Sequence, residues 1–157
     1  MQIKKMSESE KMELKRIIEK NYGAKIDFSN YDCYINKKNE IYISSRGLSE
    51  NVVKKSSYIG LYLGKLKRNE KIQFSVEGSQ LVGKFATKNI AILDEENIYR
   101  FIEGLDCKWV SLINCEKSNF VLIKNENDFF GCGILRDDKI ESLVPKARRI
   151  MKTIRKV

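Results

Sequence analysis

The side chains best suited to chemistry in this chain are cations near its C-terminus. Lys146, Arg148 and Arg149 follow Pro145, which is the only proline. A guanidinium presents a planar fork of donors that matches two phosphate oxygens, whereas a lysine ammonium acts as a point charge. Residues 145–157 hold six cations and no acid, and so carry six of the nine net positive charges. This asymmetry predicts contact with a nucleic acid; the alternative is a solvated basic run that aids solubility.

Further candidate contacts lie in two other places. Arg100 precedes the sequence Glu103-Gly104-Leu105-Asp106, in which a glycine allows the backbone to approach a phosphate or a base edge. Gly104 is also a suitable residue for ending a helix, and the two interpretations are compatible. The other place is a basic cluster beside a strand-like run that contains Gly60 and Gly64. Its members are Lys65, Lys67 and Arg68.

Residue types for catalysis are scarce. The chain has no histidine, which excludes the Ser/His and Cys/His arrangements of nucleophilic catalysis. Its cysteines, Cys33, Cys107, Cys115 and Cys132, form no C-x-x-C pair, so we expect buried thiols and no structural zinc. Asp137-Asp138 has the composition of a turn. We therefore predict a non-enzyme without cofactor or metal.

The elements of the first half are predicted to be one helix packed on an antiparallel meander. Ser7 and Glu10 form the pattern of a capping box, and Gly23 follows the last apolar position, Tyr22. The predicted strand-like runs are Ile26–Phe28, Tyr31–Ile35, Ile41–Ser44, Tyr58–Leu66 and Ile72–Val76. Gln80–Ala86 is compatible with a further helix or an irregular turn.

The pattern of the second half predicts a small barrel. We predict a strand over Ile90–Leu93, a helix capped by Asp94 that ends before Gly104, and a strand over Trp109–Ile113. Two strand-like runs and a short final strand follow. The second run contains Gly131-Cys132-Gly133, and glycines inside a strand indicate a bulge or a close approach of another backbone.

Length and hydropathy limit the remaining possibilities. A chain of 157 residues fits one domain or two small ones. No apolar run approaches the roughly 18 residues of a membrane span. The first residues lack the apolar core of a signal peptide, so we expect a cytoplasmic protein without a membrane partner.

Part of the chain resembles a PUA domain, a small RNA-binding pseudo-barrel. The resemblance rests on Tyr99–Asp106 as helix and glycine loop, and on Phe120–Leu135 as barrel strands. Val144–Ile150 is similar to the exit strand of the PUA-like part of Sun/Fmu-type RNA cytosine-5 methyltransferases, and Gly60–Leu66 to a segment before that part. The match covers about the last 100 residues. It implies an α+β chain, with an N-terminal α/β pre-PUA-like domain over residues 1–88 and a C-terminal PUA pseudo-β-barrel over 89–157.

The departures from those methyltransferases are informative. Their glycine-rich S-adenosylmethionine loop is absent, and Pro145 has no neighbouring cysteine to act as nucleophile. The resemblance therefore implies a free-standing RNA-binding accessory protein of the archaeal ribosome-biogenesis type. Its partner would be rRNA or tRNA, bound through the Gly104 loop and the basic exit. The alternative is a protein-interaction subunit that recruits a separate methyltransferase or assembly factor. The first 55 residues receive no assigned role.

Overall fold

The computed structural model describes residues 3–47 and 60–149, and these residues form two five-stranded sheets and three α-helices. The predicted strand Tyr58–Leu66 therefore begins outside the described residues. Residues 150–157 of the basic tail also lie outside them. Within the described residues, no helix is both long enough and apolar enough to cross a membrane.

The first sheet is an antiparallel meander that packs against helix α1 (Glu8–Tyr22). Its strands, in spatial order, are β1 (Ile3–Lys5), β2 (Tyr31–Asn36), β3 (Glu40–Ser45), β4 (Leu61–Lys67) and β5 (Lys71–Phe74). The predicted capping box is confirmed, since Ser7 and Glu10 each accept from the other's backbone N–H, and Gly23 ends α1 in a left-handed conformation. The predicted strand Ile26–Phe28 is wrong. Ile26 and Phe28 are buried there, but the chain turns at once into β2 and forms no ladder.

Helix α2 (Val76–Gly83) begins earlier than the sequence indicated. The predicted strand Ile72–Val76 stops at Phe74 because the side chain of Ser75 accepts from the N–H of Gly78 and caps the new helix. The segment Gln80–Ala86 is accordingly the second half of a helix and the turn that follows it. Helix α2 packs between β4 and the strand Asp128–Leu135 of the second sheet.

The second sheet contains β6 (Ile90–Ile92), β7 (Ser111–Ile113), β8 (Phe120–Asn125), β9 (Asp128–Leu135) and β10 (Ile140–Ser142). The spatial order is β10-β9-β8-β6-β7, with β6 and β8 parallel and the other pairs antiparallel. Helix α3 (Glu95–Ile102) follows β6 and has the predicted cap, in which Asp94 accepts from the N–H of Asn97. Cys107 forms an antiparallel bridge with Ile140 beside β10, and the chain then reaches the opposite edge at β7. The strand ladders of the described residues do not themselves close into a ring, so the pseudo-barrel remains a prediction.

The bulge predicted at Gly131-Cys132-Gly133 is present. Leu122 lies opposite Cys132 whereas Lys124 lies opposite Phe129, so two residues of β9 face one residue of β8. Gly131 adopts a φ of +115°. A Cβ on Gly133 would lie 2.9 Å from the carbonyl oxygen of Glu141, which is the close backbone approach that the sequence indicated.

Two core clusters connect these layers. The first core cluster contains Ile18, Leu63 and Phe74 from the first sheet and its helix, together with Leu122 and Cys132 from the second sheet. The second core cluster lies between α3 and the second sheet around Phe101 and Ile140. The first core cluster therefore draws on both sides of residue 88, and the proposed domain boundary there remains a prediction.

Candidate functional site

The glycine loop lies directly after α3. Gly104 has a φ of +83°, and its N–H donates to the carbonyl of Phe101 at 3.0 Å. The helix-ending role predicted for Gly104 is thus confirmed. Two apolar side chains remain accessible beside the loop, Tyr99 at 39% and Leu105 at 44% exposure.

The structure brings Arg149 onto this glycine. A Cβ built on Gly104 would lie 2.6 Å from Cζ of Arg149 and 2.7 Å from its Cδ. Any side chain at position 104 would therefore compete with the arginine for the same space. Arg149 Nε also donates to the carbonyl of Val144 at 3.1 Å, which fixes the guanidinium beside the loop.

The other C-terminal cations differ in their surroundings. Residues Lys146–Arg148 form a 3₁₀ turn after Pro145, and their side chains are exposed. Arg148 Nη1 donates to both carboxylate oxygens of Glu77, at 2.6 and 3.2 Å. Glu77 lies in the first turn of α2, and both members of this pair line a cavity of about 320 Å³ between the two sheets.

Arg100 and Asp106 stabilise the loop from its other side. Arg100 Nε donates to the backbone carbonyl of Asp106 at 2.8 Å. The carboxylate of Asp106 accepts from Lys139 Nζ at 2.9 Å, and this hydrogen bond raises the pKa of Lys139. These three side chains line a shallow cleft of about 400 Å³. Asp106 is therefore engaged in an ion pair on this side of the loop, and its predicted contact with RNA remains a prediction.

The basic cluster at Lys65, Lys67 and Arg68 lies at the end of β4 and in the turn after it. The cavity beside Arg148 is lined by Leu61 and Tyr62 at the start of β4, and also by Gln73, which lies opposite Lys65. Lys65 therefore neighbours the lining of this cavity, whereas Lys67 and Arg68 lie further along the sheet.

Glu77 and Lys139 are the functional neighbours that sequence reasoning missed. The position of Glu77 could have been predicted from Ser75, which is a suitable N-cap, because acids are favoured in the first turn of a helix. For Lys139 the sequence gives no signal, since its partner Asp106 lies on a distant loop. Among the aromatic side chains, Phe101 and Phe129 are buried in the core.

The thiols are poorly suited to nucleophilic chemistry. Burial raises the pKa of Cys33 to about 11 and that of Cys107 and Cys132 to about 12. These three groups are thus protonated at neutral pH, as expected for cysteines packed as small apolar residues. Across residues 3–47 and 60–149, no group of three or more acids and cysteines is placed to hold a metal ion.

Comparison with known proteins gives a likeness in fold alone. No family model matches the chain, and no curated protein matches its sequence. Among solved structures, it is similar to a conserved PUA domain protein from Thermoplasma acidophilum, with a TM-score of 0.65 and 15% sequence identity. The superposition covers 98% of this chain and 98% of that chain. The mixed α/β architecture is therefore of PUA type, and the likeness includes the N-terminal half, which the sequence resemblance did not cover.

Proposed function

We propose that this chain is a non-catalytic RNA-binding protein. Its RNA contact is the loop–turn surface, defined as Arg100, Gly104, Leu105, Lys146, Arg148 and Arg149. The observation that carries the proposal is the packing of Arg149 over Gly104. This contact joins the basic C-terminal segment to the glycine loop, which we selected both from its residue types and from the PUA resemblance. The PUA-type fold supports it.

The members of the loop–turn surface contribute in different ways. Lys146, Arg148, Arg149 and Arg100 neutralise phosphates, and Arg148 exchanges the carboxylate of Glu77 for a phosphate when RNA binds. Gly104 allows the RNA to approach the backbone. Leu105 and the neighbouring Tyr99 offer exposed apolar area to an unpaired base.

At the finer level, we propose that residues 89–157 act as a PUA pseudo-barrel and residues 1–88 as a pre-PUA domain. The target would be structured rRNA or tRNA in ribosome biogenesis or RNA modification, in the cytoplasm of an archaeon. The sequence resemblance and the basic charge support this assignment. A second candidate, a subunit that recruits a methyltransferase or assembly factor, is favoured by the exposure of Met12 (70%) and Phe85 (49%) in the N-terminal half.

The test compares Arg148→Ala/Arg149→Ala with a control that also removes two cations, Lys25→Ala/Lys117→Ala. Fluorescence anisotropy with labelled tRNA and rRNA fragments would be measured at several salt concentrations. The arginine variant should lose about tenfold or more in affinity, and its salt slope should fall by roughly 1.4 to 1.8, since each phosphate contact contributes about 0.7 in a single strand and about 0.9 in a duplex. An arginine variant that behaves like the control would remove the loop–turn surface from the RNA site.

A further inference from the structure

One end of the first sheet carries an unusual concentration of cations. The turn between β2 and β3 and the turn between β4 and β5 lie side by side, since the N–H of Leu66 donates to the carbonyl of Asn39 at 2.9 Å. We call this region the hairpin end. Its cations are Lys37, Lys38, Lys65, Lys67, Arg68 and Lys71.

The acids near the hairpin end are already engaged with other groups. Glu70 accepts from Lys20 at 2.7 Å and from Arg16. Glu40 accepts from the side-chain amide of Asn36 at 2.8 Å, and Glu10 accepts from the N–H of Ser7 at 2.9 Å. In the part of the chain that the structure describes, none of the six hairpin-end cations belongs to an ion pair.

The register of the sheet places Lys65 opposite Glu40, which is favourable, but it makes one other pair of cations unfavourable for the fold. Lys67 lies directly opposite Lys71 in the antiparallel ladder of β4 and β5. Like charges in directly opposite positions destabilise a strand pair, whereas opposite charges stabilise it. Stability alone would favour an acid at one of the two positions, so the paired lysines point to an anionic ligand.

The composition of the hairpin end favours RNA over a protein partner. Lysine is depleted in protein–protein interfaces, and their cores are enriched in aromatic residues. Among residues 3–47 and 60–149, the large apolar side chains with high exposure are Met12, Tyr31, Phe85, Tyr99, Leu105 and Val110, and none of them lies in either turn. A surface of lysines without apolar neighbours is suited to a phosphate backbone.

We propose that the hairpin end is a second RNA-binding surface, which holds the phosphates of another segment of the RNA bound at the loop–turn surface. The proposal rests on the proposed function. The cavity beside Arg148 is lined as far along the sheet as Gln73, which lies opposite Lys65, and the turn that carries Lys67 and Arg68 lies beyond it. The ligand is therefore a folded RNA that reaches both places.

The first test uses the triple variant Lys38→Ala/Lys67→Ala/Arg68→Ala and a control triple, Lys15→Ala/Lys25→Ala/Lys117→Ala. Binding of a folded tRNA transcript would be measured by anisotropy, with Arg148→Ala/Arg149→Ala in parallel. The hairpin-end triple should lose about tenfold or more in affinity, and combining it with the arginine changes should multiply the two losses.

A single variant separates binding from folding. Lys67→Glu places an acid opposite Lys71, so the midpoint of thermal unfolding should rise while tRNA affinity falls.

If the hairpin-end variants bind tRNA as the control does while the arginine variant is weakened, the second surface is wrong and the proposed function stands. If the wild-type chain binds no RNA, both are wrong. If the hairpin-end variants kept their affinity for RNA but lost binding to an acidic protein, the second RNA-binding surface would also be wrong.

Discussion

At the scale of single residues, the central contact is the ion pair between Arg148 and Glu77. Both side chains are partly accessible to solvent, at 50% and 36%. Ion pairs in such settings contribute little to stability, because water and salt screen them. The pair therefore holds Arg148 in place in the free protein, and a phosphate can replace the carboxylate at small cost.

This competition predicts the effect of Glu77→Gln. Removing the carboxylate frees Arg148 and removes a negative charge near the incoming phosphates, so RNA affinity should rise about two- to fivefold at low salt. Anisotropy measures the change, and Glu126→Gln, in the turn between β8 and β9, is the control that removes one acid elsewhere. A loss of affinity in Glu77→Gln would instead mean that the carboxylate itself contacts RNA.

The residues of the site were partly predictable from sequence. Lys146, Arg148, Arg149 and Gly104 were selected because the types of these residues have local chemical meaning. The packing of Arg149 on Gly104 was not predictable, since it depends on the tertiary position of the C-terminal turn. The same reason explains why the ion pair between Asp106 and Lys139 was not predictable.

At the scale of secondary structure, predictions succeeded where the signal is local. The caps at Ser7 and Asp94 depend on residues within one turn of the helix, and both are confirmed. The strand predicted over Ile26–Phe28 is wrong because apolar side chains can be buried without a partner strand. The start of α2 was not predicted because Ser75 both follows a strand and caps the next helix.

The cap at Asp94 gives a pH-dependent prediction. Hydrogen bonds from the side chain of Asn97 and, to a smaller extent, from its backbone N–H lower the pKa of Asp94 below its ordinary value. Because the pKa of Asp94 is lower in the folded protein, its ionised carboxylate stabilises the fold fully at pH values above the unfolded-state pKa of about 3.9. This stabilisation is lost as the pH falls through the folded-state pKa. Asp94→Asn keeps an acceptor but loses the charge that interacts with the helix dipole.

The measurement is the difference in unfolding midpoint between wild type and Asp94→Asn, followed by circular dichroism from pH 7 downwards. Wild type should be the more stable at neutral pH, and the difference should shrink below about pH 4, where the charge is lost. Asp138→Asn, in the turn before β10, is the control for removing one acid. A difference that stays constant through this range would show that the charge of Asp94 contributes nothing to the cap.

At the scale of the whole molecule, the two sheets are joined by more than a linker. The side-chain amide of Asn89, directly before β6, donates to the carbonyl of Asn21 in α1 at 2.6 Å. Leu122, Phe129 and Cys132 of the second sheet complete the first core cluster. Sequence patterns could not show this, because an apolar alternation does not reveal which sheet it packs against.

The shared core cluster predicts that the chain unfolds as one cooperative unit. Leu63 is fully buried in the N-terminal half, and Trp109, the only tryptophan, packs against the second core cluster. Leu63→Ala should destabilise the protein by about 2–5 kcal/mol through lost burial and a residual cavity. In urea, the fluorescence of Trp109 and the far-UV circular dichroism should shift to lower midpoints by the same amount. Met12→Ala, at a largely exposed position of α1, should change neither midpoint appreciably.

The opposite outcome would have a clear meaning for the architecture. If Leu63→Ala moved the circular dichroism transition and left the Trp109 transition in place, residues 1–88 and 89–157 would unfold independently. The first core cluster would then contribute little coupling, although Leu122 and Cys132 are buried in it. A coincident shift means instead that the hairpin end and the loop–turn surface are held on one rigid body. A single folded RNA could then contact both surfaces without paying the entropy of ordering two loosely linked domains.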